Sequence, residues 1–200
     1  MIRAFVVLAL VMAPGSLAAV AAPLIGQAAP AFTAVDSNGK AHSLAALKGK
    51  LVVLEWTNHE CPYVRKHYGS GNMQKLQHDL TAAGAVWLSV VSSAPGKQGY
   101  VTGAEANRLT ASRGAHPTAV LLDPAGTVGR AYEAQTSPHM FVIDKTGVLR
   151  YMGAIDDQPT VDASRIAEAR NYVREAFAAV LYGAGVPESA TDAYGCSVKY

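Results

Sequence analysis

Between residues 31 and 182 the chain alternates short β-forming runs with stretches of helical period. Leu51-Val52-Val53-Leu54-Glu55-Trp56 is a near-continuous apolar run and predicts a buried central strand. Ala85 to Val91, Thr118 to Leu122 and Met140 to Asp144 repeat that character, and Lys145-Thr146-Gly147 turns the last of them into Val148 to Met152. Ahead of the central strand, Ala31–Asp36 and Lys40–Leu47 flank Asn38-Gly39, which predicts a hairpin. Pro62 opens a helix, because proline suits the first helical position. Gly69-Ser70-Gly71 interrupts it, and Asn72 restarts it as an N-cap, with Gly84 ending it after Ala83. Helices are also expected over Glu105–Ser112 and, briefly, over Val128–Glu133. Ile166, Ala169, Val173, Ala176, Phe177, Val180 and Leu181 recur at three and four, which predicts one long helix from Ser164 to Tyr182.

Strands alternating with helices, then a hairpin and a closing helix, describe an α/β domain. Its sheet is mixed and is covered by helices on both faces. The domain spans residues 22–182, and a Gly-, Pro- and Ser-containing C-terminal extension fills 183–200. The N-terminus reads differently. Arg3 precedes an apolar run from Ala4 to Ala13, Pro14-Gly15 breaks it, and Ala19-Val20-Ala21 has the small-x-small spacing of a signal-peptidase site. Residues 1–21 are therefore expected to be a signal peptide rather than a stable membrane anchor, since a spanning helix needs about 20 unbroken apolar residues. A periplasmic or secreted location follows from that expectation.

Charge narrows the partners. Loss of Arg3 with the leader lowers the net charge from +2 to +1, and a near-neutral chain has no electrostatic footprint for nucleic acid. Two cysteines, Cys61 and Cys196, are too few for a disulfide scaffold. They form one disulfide, two free thiols, or one reactive thiol with a bystander. Cys61 stands where the central strand gives way to a helix, and a helix start offers free N–H groups and partial positive charge that favour a thiolate. Arg65, Lys66 and His59 are near it in sequence, with Glu60 opposing them. Glu55, a carboxylate inside an apolar strand, is a candidate proton acceptor near Cys61, or else pairs with a basic group or faces a solvated edge. Trp56, Trp87, Phe141 and Phe177 are expected in the core. His42, His78 and His116 are expected at the surface, and Asp156-Asp157 in a loop.

Gly49-Lys50 with the strand to Trp56 and Cys61-Pro62 forms one set of signatures. Pro117-Thr118, Asp123-Pro124-Ala125-Gly126, Arg130-Ala131-Tyr132 and Phe141-Val142-Ile143-Asp144 form a second. In this order they resemble the peroxiredoxin-like branch of the thioredoxin superfamily, the alkyl hydroperoxide reductase and thiol-specific antioxidant group, over residues 25–180. The resemblance implies a thioredoxin-like three-layer fold without a cofactor. It makes Cys61 the attacking cysteine and puts Pro138 in the superfamily's cis-proline position, facing it. The branch carries a threonine three residues before its cysteine. Asn58 stands there, and Thr57 is one step out of register. An arginine of the branch is replaced by Pro138, and the second cysteine of a dithiol reductase by Val64.

Three chemistries follow. Cys61 reduces a small hydroperoxide and Cys196 closes a disulfide on it. Alternatively, Cys61 exchanges with a protein disulfide. Both need an external thiol reductant. In the third, His59, Cys61 and His139 hold copper or zinc without redox turnover.

Overall fold

The computed structural model describes residues 22–200, so the leader expected at 1–21 lies outside the described residues. The expected hairpin is β1 (Thr33–Asp36) and β2 (Ala41–Ser43), followed by a 3-10 turn over Leu44–Leu47. The central strand is β3 (Val52–Trp56), every residue of it buried. Then come α1 (Pro62–Gly69), α2 (Asn72–Ala82), β4 (Val86–Val91), α3 (Gly103–Ser112), β5 (Ala119–Leu122) and α4 (Thr127–Ala131). A two-residue β6 (Thr136–Ser137), β7 (His139–Ile143), β8 (Leu149–Gly153), α5 (Tyr172–Leu181) and a two-residue β9 (Cys196–Ser197) complete the chain.

Seven strands form one sheet in the order β2-β1-β5-β4-β3-β7-β8. β3 runs parallel to β4 and antiparallel to β7, with Trp56 opposite both Val90 and His139. The end of β3 is therefore level with the start of β7, which brings Cys61 and Pro138 to the same end of two interior strands.

Side chains alternate across the strands, so two cores form. Val52, Leu54, Trp56, Leu88, Val90, Leu121, Phe141 and Ile143 face the 3-10 turn and α4. Val53, Trp87, Met140, Val142 and Tyr151 face α2 and α5, while Ala106 of α3 covers Val91 and the neighbouring side of β5. Trp56, Tyr132 and Phe141 meet with ring centroids 5.2–5.6 Å apart. Among the described residues no helix is long and apolar enough to cross a membrane.

The helix expected over residues 164–182 is two elements, a 3-10 turn over Ala163–Glu168 and α5. Local hydrogen bonding outweighs the apolar period there. Asn171 caps α5 by accepting the Arg174 N–H, and Arg170 is held by Glu175 and Glu188, by its N–H donating to Asp157 Oδ1 and by its carbonyl accepting the Asp157 N–H. Asn72 is likewise not the N-cap of α2. Gly71 caps it at φ 77°, and the Asn72 amide donates to His67 Nδ1 instead. His42 is not a plain surface residue, since its Nε2 lies 2.8 Å from Asp36 Oδ2.

The C-terminal extension folds back on the domain. Ala190 bridges to Met152, and β9 pairs antiparallel with β6. The Tyr200 ring lies against Gly126 and Gly129, where a Cβ would approach it to 2.3 and 2.5 Å, and its hydroxyl donates to Ala134 O at 2.8 Å.

Phe141→Ala empties the centre of the aromatic cluster and is expected to cost about 3–5 kcal/mol in urea unfolding. Val35→Ala, on the exposed face of β1, is expected to stay within about 0.5 kcal/mol of the parent.

Candidate functional site

Asn58 folds the loop that delivers Cys61. Its Oδ1 accepts the Glu60 N–H at 2.9 Å, its backbone carbonyl accepts the Cys61 N–H at 3.1 Å, and its amide reaches Gln98 O. Glu60 adds a second tie by accepting the Gly99 N–H at 2.7 Å. Cys61 then sits at the N-cap of α1, extended at φ −70° and ψ 126°, with Pro62 beginning the helix. Its carbonyl takes the first helical bond, from the Arg65 N–H. The side chain is fully buried, and the thiol lies 3.1 Å from the Ser137 carbonyl as a donor. The Ser137–Pro138 peptide is cis.

Cys196 reaches the same place from the other end of the chain. In the β6–β9 ladder it stands opposite Ser137, the residue whose carbonyl receives the Cys61 thiol. Both cysteines are free. Burial first, and then the adjoining Cys61 sulfur, push the Cys196 thiol up to about 11. Cys196 is half-buried where Cys61 is sealed. Gly195, at φ 150°, admits this approach: a Cβ there would fall 2.2 Å from Ser137 O.

Other expected site residues lie elsewhere. Thr57 Oγ1 is buried without a hydrogen-bond partner and lines a cavity of about 40 Å³ with His59, Tyr68, Gly99 and Arg113, a cavity that Cys61 does not line. The Thr57 hydroxyl thus faces the cavity beside α3 and makes no hydrogen bond to the Cys61 sulfur.

His59, Cys61 and His139 are not brought together either. Among the described residues no three His, Cys, Asp or Glu side chains converge on a point suited to a metal ion. His59 lines the cavity on the α3 face, whereas the His139 ring lies 4.5 Å from Phe141 on the opposite face, with Nδ1 accepting the Gln135 N–H. Burial holds His139 down at about 4 and so keeps it neutral.

Glu55 is fully buried rather than at a solvated edge, its partners are neutral rather than basic, and burial raises its carboxyl above the ordinary range. Its oxygens are taken up by four donors, Trp87 Nε1, Ser89 Oγ, Tyr68 Oη and Gln77 Nε2, at 2.8–3.1 Å.

Sequence reasoning missed a buried polar cluster on α1. Lys66 Nζ donates to Gln158 O at 2.7 Å and lies 3.8 Å from Asp156 Oδ2, and Tyr194 of the extension donates to Asp156 Oδ1. Its sequence signals are weak ones: Lys66 close to Cys61, the Asp156-Asp157 pair, and an aromatic residue two places before the tail cysteine.

The model of the AhpC/TSA family matches residues 25–152. A search of the curated proteins finds no match. Among solved structures, the chain is similar to an uncharacterized conserved protein from Geobacillus kaustophilus. The TM-score is 0.75 at 23% identity, over 88% of this chain and 92% of that one. A hypothetical protein from Sinorhizobium meliloti gives 0.74 at 22%, over 88% and 94%. A putative thiol:disulfide interchange protein DsbE from Chlorobium tepidum gives 0.52 at 24%, over 65% and 84%. At these identities the likeness is one of fold, and the fold is thioredoxin-like.

Because its pKa is raised, Cys196 stays a thiol below about 11. Its rate of alkylation is expected to climb about tenfold per pH unit between pH 7 and 9, since only the thiolate reacts. In Cys61→Ser the neighbouring sulfur is gone and the midpoint is expected to move down. Peptide mass spectrometry after timed alkylation reads both, and a plateau below pH 9 in the parent would contradict the burial argument.

Proposed function

The chain belongs to the AhpC/TSA family, and from that premise we propose that it is an exported peroxidase of small hydroperoxides that works through a Cys61–Cys196 pair. Thiol redox chemistry comes with the family. The peroxide, the pairing of roles and the location are the proposal. One observation carries it: the C-terminal strand seats Cys196 beside Cys61, across a shared neighbour, Ser137.

The steps balance with these two sulfurs alone. The Cys61 thiolate attacks one peroxide oxygen, the O–O bond breaks, and the alcohol or water leaves with a proton. Cys61 is then a sulfenic acid. Cys196 attacks that sulfur as its thiolate, the S–O bond breaks, and water leaves with the Cys196 proton. The product is a Cys61–Cys196 disulfide, which two equivalents of an external thiol reduce again.

Exposure favours a small oxidant over a protein disulfide. Cys61 has no accessible surface, and a protein disulfide presents its sulfur on a bulky surface. Cys196 is reachable but is held as a thiol by its raised pKa, so it is a poor first attacker at neutral pH. A hydroperoxide is small enough to reach Cys61 through modest local opening. The polarising groups of the peroxiredoxin pattern are absent from their usual places, with Asn58 spent on the loop and Pro138 beside the ladder. The helix start and the local backbone must then supply the positive potential.

Stoichiometric hydroperoxide added to the reduced protein is expected to give the Cys61–Cys196 disulfide, seen by non-reducing peptide mass spectrometry. Cys196→Ser is expected to stop at a sulfenic acid on Cys61, and Cys61→Ser to lose hydroperoxide consumption at least 100-fold. Two unmodified thiols in the parent after oxidant would defeat the peroxidase reading.

A further inference from the structure

Cys196 approaches Cys61 on a segment that has no regular structure from Thr191 to Gly195, so something besides the two-residue ladder must fix its register. Tyr194 is the residue in place to do so. Its ring packs edge-on to Tyr63 at 5.7 Å and under Lys66 Nζ at 5.4 Å. Both contacts are on α1, the helix that Cys61 begins. Its hydroxyl donates to Asp156 Oδ1 and accepts from His67 Nε2 at 3.2 Å and from Lys66 Nζ at 3.4 Å. The Asn72 amide donates to His67 Nδ1, which leaves the proton on Nε2 to point at Tyr194.

We propose that Tyr194 is a positioning residue for the redox pair: its hydroxyl, gripped by Asp156, His67 and Lys66, sets the sulfur of Cys196 against that of Cys61. The inference rests on the Cys61–Cys196 pairing of the reading above.

Three features support it. Tyr194 ties the tail to the very helix that carries Cys61, so both sulfurs are referenced to one element. The grip is buried and charged: the side chains of Lys66 and Asp156 are 0% and 1% exposed. Buried charges cost stability unless their partners are fixed, and here the tail supplies the partner. Gly195, between Tyr194 and Cys196, lies flat on Ser137, so a shift at Tyr194 passes directly to Cys196. On the far side Tyr200 holds the chain against α4, under Arg130 at 4.6 Å. Cys196 is thus suspended between two docked tyrosines, only one of which touches the helix of Cys61.

The test is the equilibrium of the full-length protein with glutathione, in which one oxidised glutathione and two protein thiols exchange for the Cys61–Cys196 disulfide and two reduced glutathiones. The constant measures how well the two sulfurs are held together and needs no peroxide. Tyr194→Phe keeps the ring and removes the hydroxyl. It is expected to lower the constant about tenfold, the size of one lost charge-assisted hydrogen bond. Leu47→Ala, which loosens the core on the opposite face, is expected to leave the constant unchanged despite a comparable loss of stability. An unchanged constant in Tyr194→Phe, or an equal fall in Leu47→Ala, would overturn the inference. Hydroperoxide consumption is read separately, so failure of the peroxide step and failure of the positioning role are distinguishable.

Discussion

The pairing of β6 with β9 is two residues long, yet the arrangement of the site hangs on it. Ser137 is its pivot. One side of that residue meets the tail strand in register with Cys196, and its carbonyl receives the thiol of Cys61. A ladder this short has little stability of its own, because so few bonds must offset the entropy of ordering the strand. It persists because the chain on both sides is docked by other means. Tyr194 sits in the polar cluster on α1 and Tyr200 in the glycine-lined recess of α4.

The recess and the cluster differ in kind. Tyr200 meets bare backbone, stacks under Arg130 and spends one hydrogen bond on Ala134, contacts that largely follow apolar contact area. Tyr194 meets a buried lysine, a buried carboxylate and a neutral histidine held at about 3 by burial and by Lys66. An apolar recess would hold a tail at less risk, since a half-satisfied charged cluster is worse than none. What the charged cluster adds is a single geometry. Directional bonds to three side chains tolerate less displacement than a greasy contact does, and a sulfur that must meet another sulfur benefits from that.

Much of the domain was legible because its signals are local. The apolar run at residues 51–56 and the Cys61-Pro62 junction each name their own structure, and β3 and α1 lie where those signals put them. Residues 164–182 misled because a three-and-four apolar period is compatible with a broken helix. The Asn171 cap and the Arg170 ion pairs decide the break, and the pairs depend on the fold bringing Glu175 inside the window and Glu188 beyond it to one guanidinium. The site was half legible for the same reason. Cys61 announces itself by its place at a helix start, whereas the Lys66–Asp156–Tyr194 cluster joins residues 38 to 128 apart in number. Thr57 is a different case. It matched a residue type at nearly the right spacing, but one step along the chain turns a side chain to another face, and Thr57 looks into the α3 cavity.

The raised pKa of Cys196 gives the pair an order of events. Burial first, and then the adjoining Cys61 sulfur, keep Cys196 protonated in the reduced protein. A protonated thiol reacts slowly with oxidants and disulfides, so the more exposed of the two sulfurs is the quieter one. In the proposed cycle Cys61 becomes a sulfenic acid, its sulfur is no longer a thiol, and the part of the push that came from it disappears. Cys196 then ionises more readily at the moment when its neighbour has become the electrophile. In that cycle the same proximity that quietens Cys196 in the reduced protein releases it after oxidation, so the order of the two sulfurs follows from their placement.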